Sequence, residues 1–159
     1  MSTEGLLMLC GVGSGMMAGF FLAFSACVMK ALGRIPPAGG IAAMQSINEV
    51  VINPLFLTAF LGTGAACLLE IVGSLWWWEV PAAGLVRAAC AVYLVGTVLV
   101  TIVFNVPRNN ELAKLAPADP DAARHWIMYR VTWSAWNHVR TTAALLAAVL
   151  FGLALGMGA

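Results

Sequence analysis

A four-helix transmembrane bundle is the fold class this chain predicts, on three observations. Hydrophobic residues make up 62% of the 159 and charged residues only 9%. Mean hydropathy is +0.92. The apolar residues gather in four continuous runs, about 6–29, 54–75, 81–104 and 141–158, each near the ~20 residues that a membrane-spanning helix needs. Such a composition excludes a water-soluble domain. The continuity of the runs argues against a β-barrel, whose strands of about ten residues alternate polar and apolar positions. Little chain remains for a second domain, so residues 1–159 are expected to form one membrane domain. A net charge of +1 gives no electrostatic footprint for nucleic acid; the bilayer is the expected surrounding.

The first run has no basic residue before it, and Lys30 and Arg34 come after it. It therefore reads as a retained helix rather than a signal peptide. Gly11, Gly15 and Gly19 recur every four residues along it, placing three glycines on one face where another backbone can approach, within the bundle or in a homo-oligomer. Gly152 and Gly156 repeat the pattern more weakly. The run ends at Ile35-Pro36-Pro37, because proline lacks the amide hydrogen and restricts its predecessor.

Residues 40–52 resume a helical pattern in which Gln45, Glu49 and Asn53 lie four apart, with Asn48 beside them. Asn53-Pro54 marks the start of the second span. Trp76, Trp77 and Trp78 follow that span and read as an interfacial belt. Glu70 and Arg87 are expected to pair near the same surface. After the third run, Asn105-Val106-Pro107-Arg108-Asn109-Asn110-Glu111 predicts a proline-restricted turn that closes the helix.

The last helix is expected to begin near Ala122 and continue unbroken into the fourth span, with 122–140 outside the hydrocarbon. Trp126, Arg130, Trp133, Asn137, Arg140 and Thr141 share one stripe of it. Lys30, Arg34, Arg108, Lys114, Arg124, Arg130 and Arg140 all flank one side of the membrane. The positive-inside rule makes that side cytoplasmic and puts both termini outside. A bacterial inner membrane is the expected location.

Cys10, Cys27, Cys67 and Cys90 all fall within predicted spans and read as small packing residues. A soft-metal site among Cys10, Cys67 and Cys90 is the alternative. His125 and His138, the only histidines, stand roughly 20 Å apart on one helix and cannot share a metal within one chain. No cofactor is favoured; a haem on a single histidine, or copper, stays open.

Polar groups converge at the cytoplasmic mouth. Asn53 opens the second helix, Asn105 closes the third, and Asn137, His138 and Arg140 open the fourth span. Aromatic walls with a few polar groups describe a pocket for a flat lipophilic molecule. Asn105-x-Pro107-x-Asn109, Trp133-x-x-Trp136-Asn137-His138-x-Arg140-Thr141, Met44-Gln45-x-x-Asn48 and Asn53-Pro54 together resemble the anthrone-oxygenase-like family of small four-helix membrane proteins, over nearly the whole chain. The resemblance implies oxidation of anthrones to anthraquinones by molecular oxygen with no established cofactor.

For that chemistry His138 is the expected base. Asn137 and Arg140, with Asn105 and Asn53, would stabilise a negative oxygen, and Trp133 and Trp136 would stack on the rings. Asn109, Asn48, Gln45 and Trp126 complete the expected binding surface. Asn137 and His138 are adjacent and point about 100° apart, so both cannot face one pocket squarely. A membrane module that binds a quinone or lipid without turnover, or that assembles with a partner, is the second reading; transport is a weaker third.

Overall fold

The computed structural model describes residues 3–73, 82–117 and 120–158, and every regular element among them is helical. The helices are α1 (Glu4–Leu32), α2 (Pro37–Val50), and α3 (Pro54–Gly73), α4 (Ala83–Ala113) and α5 (Ala122–Gly156). All but α2 are long and apolar enough to cross a membrane, as an integral membrane protein requires. Trp76, Trp77 and Trp78 lie outside the described residues.

Local chemistry sets the boundaries. Pro36 is extended, at φ −52° and ψ 143°, and Pro37 occupies the first turn of α2, where its missing N–H costs nothing. Asn53 caps α3: its Oδ1 accepts from the Phe56 amide at 3.0 Å, satisfying one of the orphan donors of a helix start. The expected stop at Pro107 does not occur, and α4 runs through it to Ala113. The helix widens into a π-type turn at Thr101–Asn105, so Pro107 falls in the first turn of a new α-helical segment, where proline is tolerated. Arg108 Nη1 then donates to the Phe104 carbonyl at 2.6 Å.

Helix α5 lies along both α1 and α4, α3 closes the bundle against the same two, and α2 crosses the N-terminal half of α5 and the end of α4. The apolar core runs through the bundle from Leu7 and Phe21 to Phe151 and Ala154. A second core under α2 gathers Met29, Ile41, Met44, Leu112, Trp126, Tyr129 and Trp133. Met8, Val12, Leu61, Leu68, Leu146 and Leu153 stay exposed on the perimeter, the pattern of a lipid-facing surface.

Small residues permit the close helix crossings. A Cβ on Gly11 would stand 3.3 Å from that of Phe151, and one on Gly15 would be 4.0 Å from that of Ala148. The face expected to serve self-association is thus turned in part toward α5 of the same chain; Gly19, Gly152 and Gly156 have open space around them. Gly13 makes room for the Thr63 hydroxyl, and Gly96 for Ala143. Cys10, Cys67 and Cys90 are all buried, with the Cys67 thiol against the other two. No three of the described His, Cys, Asp and Glu residues are arranged as metal ligands. Glu70 is buried, its Oε1 without a hydrogen-bond partner among the described residues.

Candidate functional site

The bundle opens at the end where α2 lies. Here α1, α3 and α4 each widen into π-type turns, at Phe24–Val28, Thr58–Gly62, Leu94–Leu99 and Thr101–Asn105. Wide turns of this kind loosen the i→i+4 ladder and are frequent at functional sites. Side chains from neighbouring helices bond to the carbonyls near them. Tyr93 donates to Phe60 O at 3.1 Å, and Asn137 Nδ2 donates to Phe21 O at 2.8 Å.

Between the helices lies a cavity of about 500 Å³, within the size range of small-molecule sites. Phe20, Phe21, Phe24, Phe56, Phe60 and Trp133 form its aromatic wall. Phe56 and Phe60 are stacked at 5.6 Å. The polar groups on its lining include Gln45, Asn48, Glu49, Thr101, Asn109 and Arg140. Among the described residues its ionisable groups are the carboxylate of Glu49 and the guanidinium of Arg140.

Arg140 is only 6% exposed. Its guanidinium carbon lies 4.0 Å from the centre of the Phe21 ring and 5.0 Å from that of Trp133, a cation between two aromatic faces. Nε donates to Asn137 Oδ1 at 2.9 Å, and Nη1 to Thr101 Oγ1 at 3.3 Å. Those bonds occupy two of the five N–H groups that a guanidinium carries. Lys114 pairs with Glu111 and Arg124 with Asp121, both exposed, and Arg140 has no ion-pair partner among the described residues. A buried cation without an anion is costly; here it is held beside open volume.

The supports of Arg140 are themselves fixed. Asn137 is fully buried and divides its amide between Phe21 O and Ser25 Oγ, the latter at 2.6 Å. With Oδ1 on Arg140, its bonding capacity is largely taken, and it holds the guanidinium rather than facing a ligand. Thr97 Oγ1 donates to the Arg140 carbonyl at 3.3 Å. Asn109 Oδ1 accepts from Trp133 Nε1 at 2.8 Å and from the Tyr129 hydroxyl at 3.0 Å. Gln45 Nε2 donates to Leu112 O at 2.9 Å and Leu115 O at 3.0 Å, tying α2 to the end of α4. Asn48 Nδ2 is buried with no hydrogen-bond partner among the described residues.

Of the residues expected to form the site, Gln45, Asn48, Asn109, Trp133 and Arg140 line this cavity. Others lie elsewhere. His138 is exposed and lines a separate cleft with Ser25, Lys30, Arg130 and Ser134, because one helical position turns it about 100° from Asn137. It is not on the lining of the cavity beside Arg140. Trp136 faces α4, stacked on Phe104 at 3.5 Å. Asn105 is buried behind Trp133 and donates to its carbonyl at 3.2 Å, while its Oδ1 is unpartnered. Asn53 is occupied as the α3 cap, with Nδ2 on Val50 O at 3.0 Å. Trp126 packs against Gly40, where a Cβ would lie 2.7 Å from the indole. Arg130 shares the His138 cleft, so the buried stripe passes through Tyr129 instead.

The five phenylalanines, Glu49, Thr101 and Tyr129 were not among the expected site residues. A readable signal existed for one of them. Thr97, Thr101, Asn105 and Asn109 are spaced four apart, and the residues between them are apolar except for Arg108.

No curated protein and no solved structure matches the chain. The family model of the anthrone oxygenases matches residues 42–150, a segment that contains the polar lining of the cavity together with Thr101, Trp133, Asn137 and Arg140, while Phe21 and Ser25 lie before it. With the match extending over more than half its length, the chain belongs to the anthrone oxygenase family.

Proposed function

We propose that the cavity binds a flat, weakly acidic phenolic ligand such as an anthrone and brings it to reaction with molecular oxygen. One observation carries this reading: a buried guanidinium with no ion-pair partner among the described residues, set between aromatic faces at the wall of a cavity large enough for a fused-ring molecule. A fixed cation in a low-dielectric site favours the anionic form of whatever oxygen approaches it.

An anthrone's methylene is acidified by the conjugated ketone across the ring. With the ketone oxygen at Arg140, loss of the methylene proton gives an enolate whose negative charge rests on that oxygen. Glu49 is the proposed proton acceptor, being the only carboxylate on the lining among the described residues. The electron-rich enolate passes one electron to oxygen, and the radical pair combines to a carbon-bound peroxide. Protonation followed by loss of one water molecule leaves the second ketone. One oxygen molecule is consumed per ring and no external reductant is needed. In this reading Asn48 and Asn109, which line the same cavity, orient the hydroxyl groups of a hydroxylated ring. In the proposed topology this end faces the cytoplasm, by the positive residues that flank it.

Oxygen uptake by detergent-purified protein given a simple anthrone tests the reading, against heat-treated protein and Arg140→Leu. The expected result is uptake well above the spontaneous rate in the native protein alone. Equal rates in all three samples would reject oxygenation. Saturable anthraquinone binding without uptake would leave a binding module.

A further inference from the structure

A second cavity, about 510 Å³, lies beside the first between α1, α2 and α3. The two share Phe20, Phe24, Ile47, Val51 and Phe56 as a common wall, in which the Phe20 ring stands 5.2 Å from both Phe24 and Phe56. Their chemistry differs. The polar side chains on the second are Ser46 and Asn53, and both ends of the Asn53 amide are already bonded within its cap. Met16, Met17, Val50, Leu55 and Ala59 make up much of the rest. Val50 is 70% exposed and Leu55 79%, so the rim opens outward through apolar side chains, and Leu55 is in the first turn of the span α3.

We infer that this vestibule holds an aliphatic chain attached to the ring in the inner cavity, and that the ligand is a membrane-resident phenol or quinol carrying a long alkyl or isoprenoid tail. The inference rests on the reading of the inner cavity as a ring site. The vestibule offers no free hydrogen-bonding set for a head group, whereas its neighbour gathers Arg140, Asn48 and Asn109. A chain leaving the ring past Phe20 would stay in an apolar medium from the cavity wall to the bilayer. Hydrocarbon lipid tails are as apolar as the vestibule lining, so the tail adds little affinity of its own; what the vestibule provides is an exit. The same path lets the ligand arrive sideways from the membrane without crossing water.

The experiment compares two probes in lipid nanodiscs, a hydroxyanthraquinone and the same ring bearing an n-decyl chain, each titrated into the wild-type protein, Ser46→Trp and Val50→Trp. Ser46 and Val50 are exposed positions of α2, so an indole at either can plug the rim without entering the core. Taking each probe's wild-type to variant ratio in the same nanodiscs cancels its partition into lipid. Both probes are expected to bind wild type. The plugs should weaken the decyl probe by about tenfold or more, the scale of forcing a chain into filled space, and leave the bare ring within about twofold. A wild-type protein that binds the bare ring but not the decyl probe would overturn the inference, as would plugs that affect both probes alike. If neither probe binds wild type, the ring-site reading itself fails.

Discussion

The two halves of α5 bury the same kind of stripe and do opposite things with it. From Ala122 to Arg140 the buried positions are Ala122, Trp126, Tyr129, Trp133, Asn137 and Arg140; beyond Arg140 they are Ala144, Ala147, Phe151 and Ala154. Both sets repeat every three or four residues, the period of one helix face. Alanines in the second set, and glycines on the helices facing it, let α1 and α4 close on α5, with Gly11 against Phe151 and Gly96 against Ala143. Large aromatic and polar residues in the first hold the helices apart and leave a cavity. Periodicity tells which face is inside; side-chain size and hydrogen-bonding capacity tell whether that inside is closed.

The contrast breaks most severely at Arg140. Arg140→Leu should keep the helical content seen by circular dichroism while anthrone-dependent oxygen uptake falls by on the order of 10³-fold, the scale of losing a preorganised group at a developing oxyanion. Glu49→Gln should lower the same rate by about 10²-fold, as removal of a general base does, with anthraquinone affinity kept; a rate within twofold of wild type would remove Glu49 from the mechanism. Asn137→Leu cuts the guanidinium loose from Phe21 O and Ser25 and strands a buried charge, so thermal unfolding in detergent should show a loss of about 1–3 kcal/mol. In the closed half, Ala147→Leu overpacks a fully buried position and should cost a similar ~1–3 kcal/mol, but without changing ligand affinity in the protein that remains folded. That pair separates the two halves: a stability loss with altered binding on one side, and stability loss alone on the other. The smallest effect is expected at His138→Ala, with uptake within about twofold of wild type, because the imidazole lines a different cleft.

The spans were legible from apolar run length alone, and so was the unbroken passage of α5 from its polar half into the membrane. The cavity was legible only in part. A stripe on one helix identifies neighbours along that helix, which is how Trp133, Asn137 and Arg140 are found. It does not say which of them meets open volume. Asn137 faces inward as expected, yet its amide is taken up by the Phe21 carbonyl and the Ser25 hydroxyl, partners more than a hundred residues away. His138 attracts notice by its chemistry while its position turns it outward. The phenylalanine wall escaped because Phe20, Phe24, Phe56 and Phe60 look like ordinary membrane-span residues until α1 and α3 are set side by side.

The wide turns of α4 also determine its phase. In an α-helix four residues advance the direction of a side chain by about 400°, so each step of four drifts by roughly 40° and three such steps by roughly 120°. Thr97, Thr101, Asn105 and Asn109 take those three steps, yet all four meet the same stretch of α5: Thr97 at the Arg140 carbonyl, Thr101 at the Arg140 guanidinium, Asn105 at the Trp133 carbonyl and Asn109 at the Trp133 indole. The π-type turns at Leu94–Leu99 and Thr101–Asn105 unwind the helix enough to cancel the drift. Over this stretch α4 behaves as a rod of period four, and its sequence is phased to that period. Deleting a single residue between Thr97 and Asn105 would leave a continuous apolar helix, but would rotate half of the ladder away from α5 by about 100°, disconnecting the residues that hold Trp133 from those that hold Arg140.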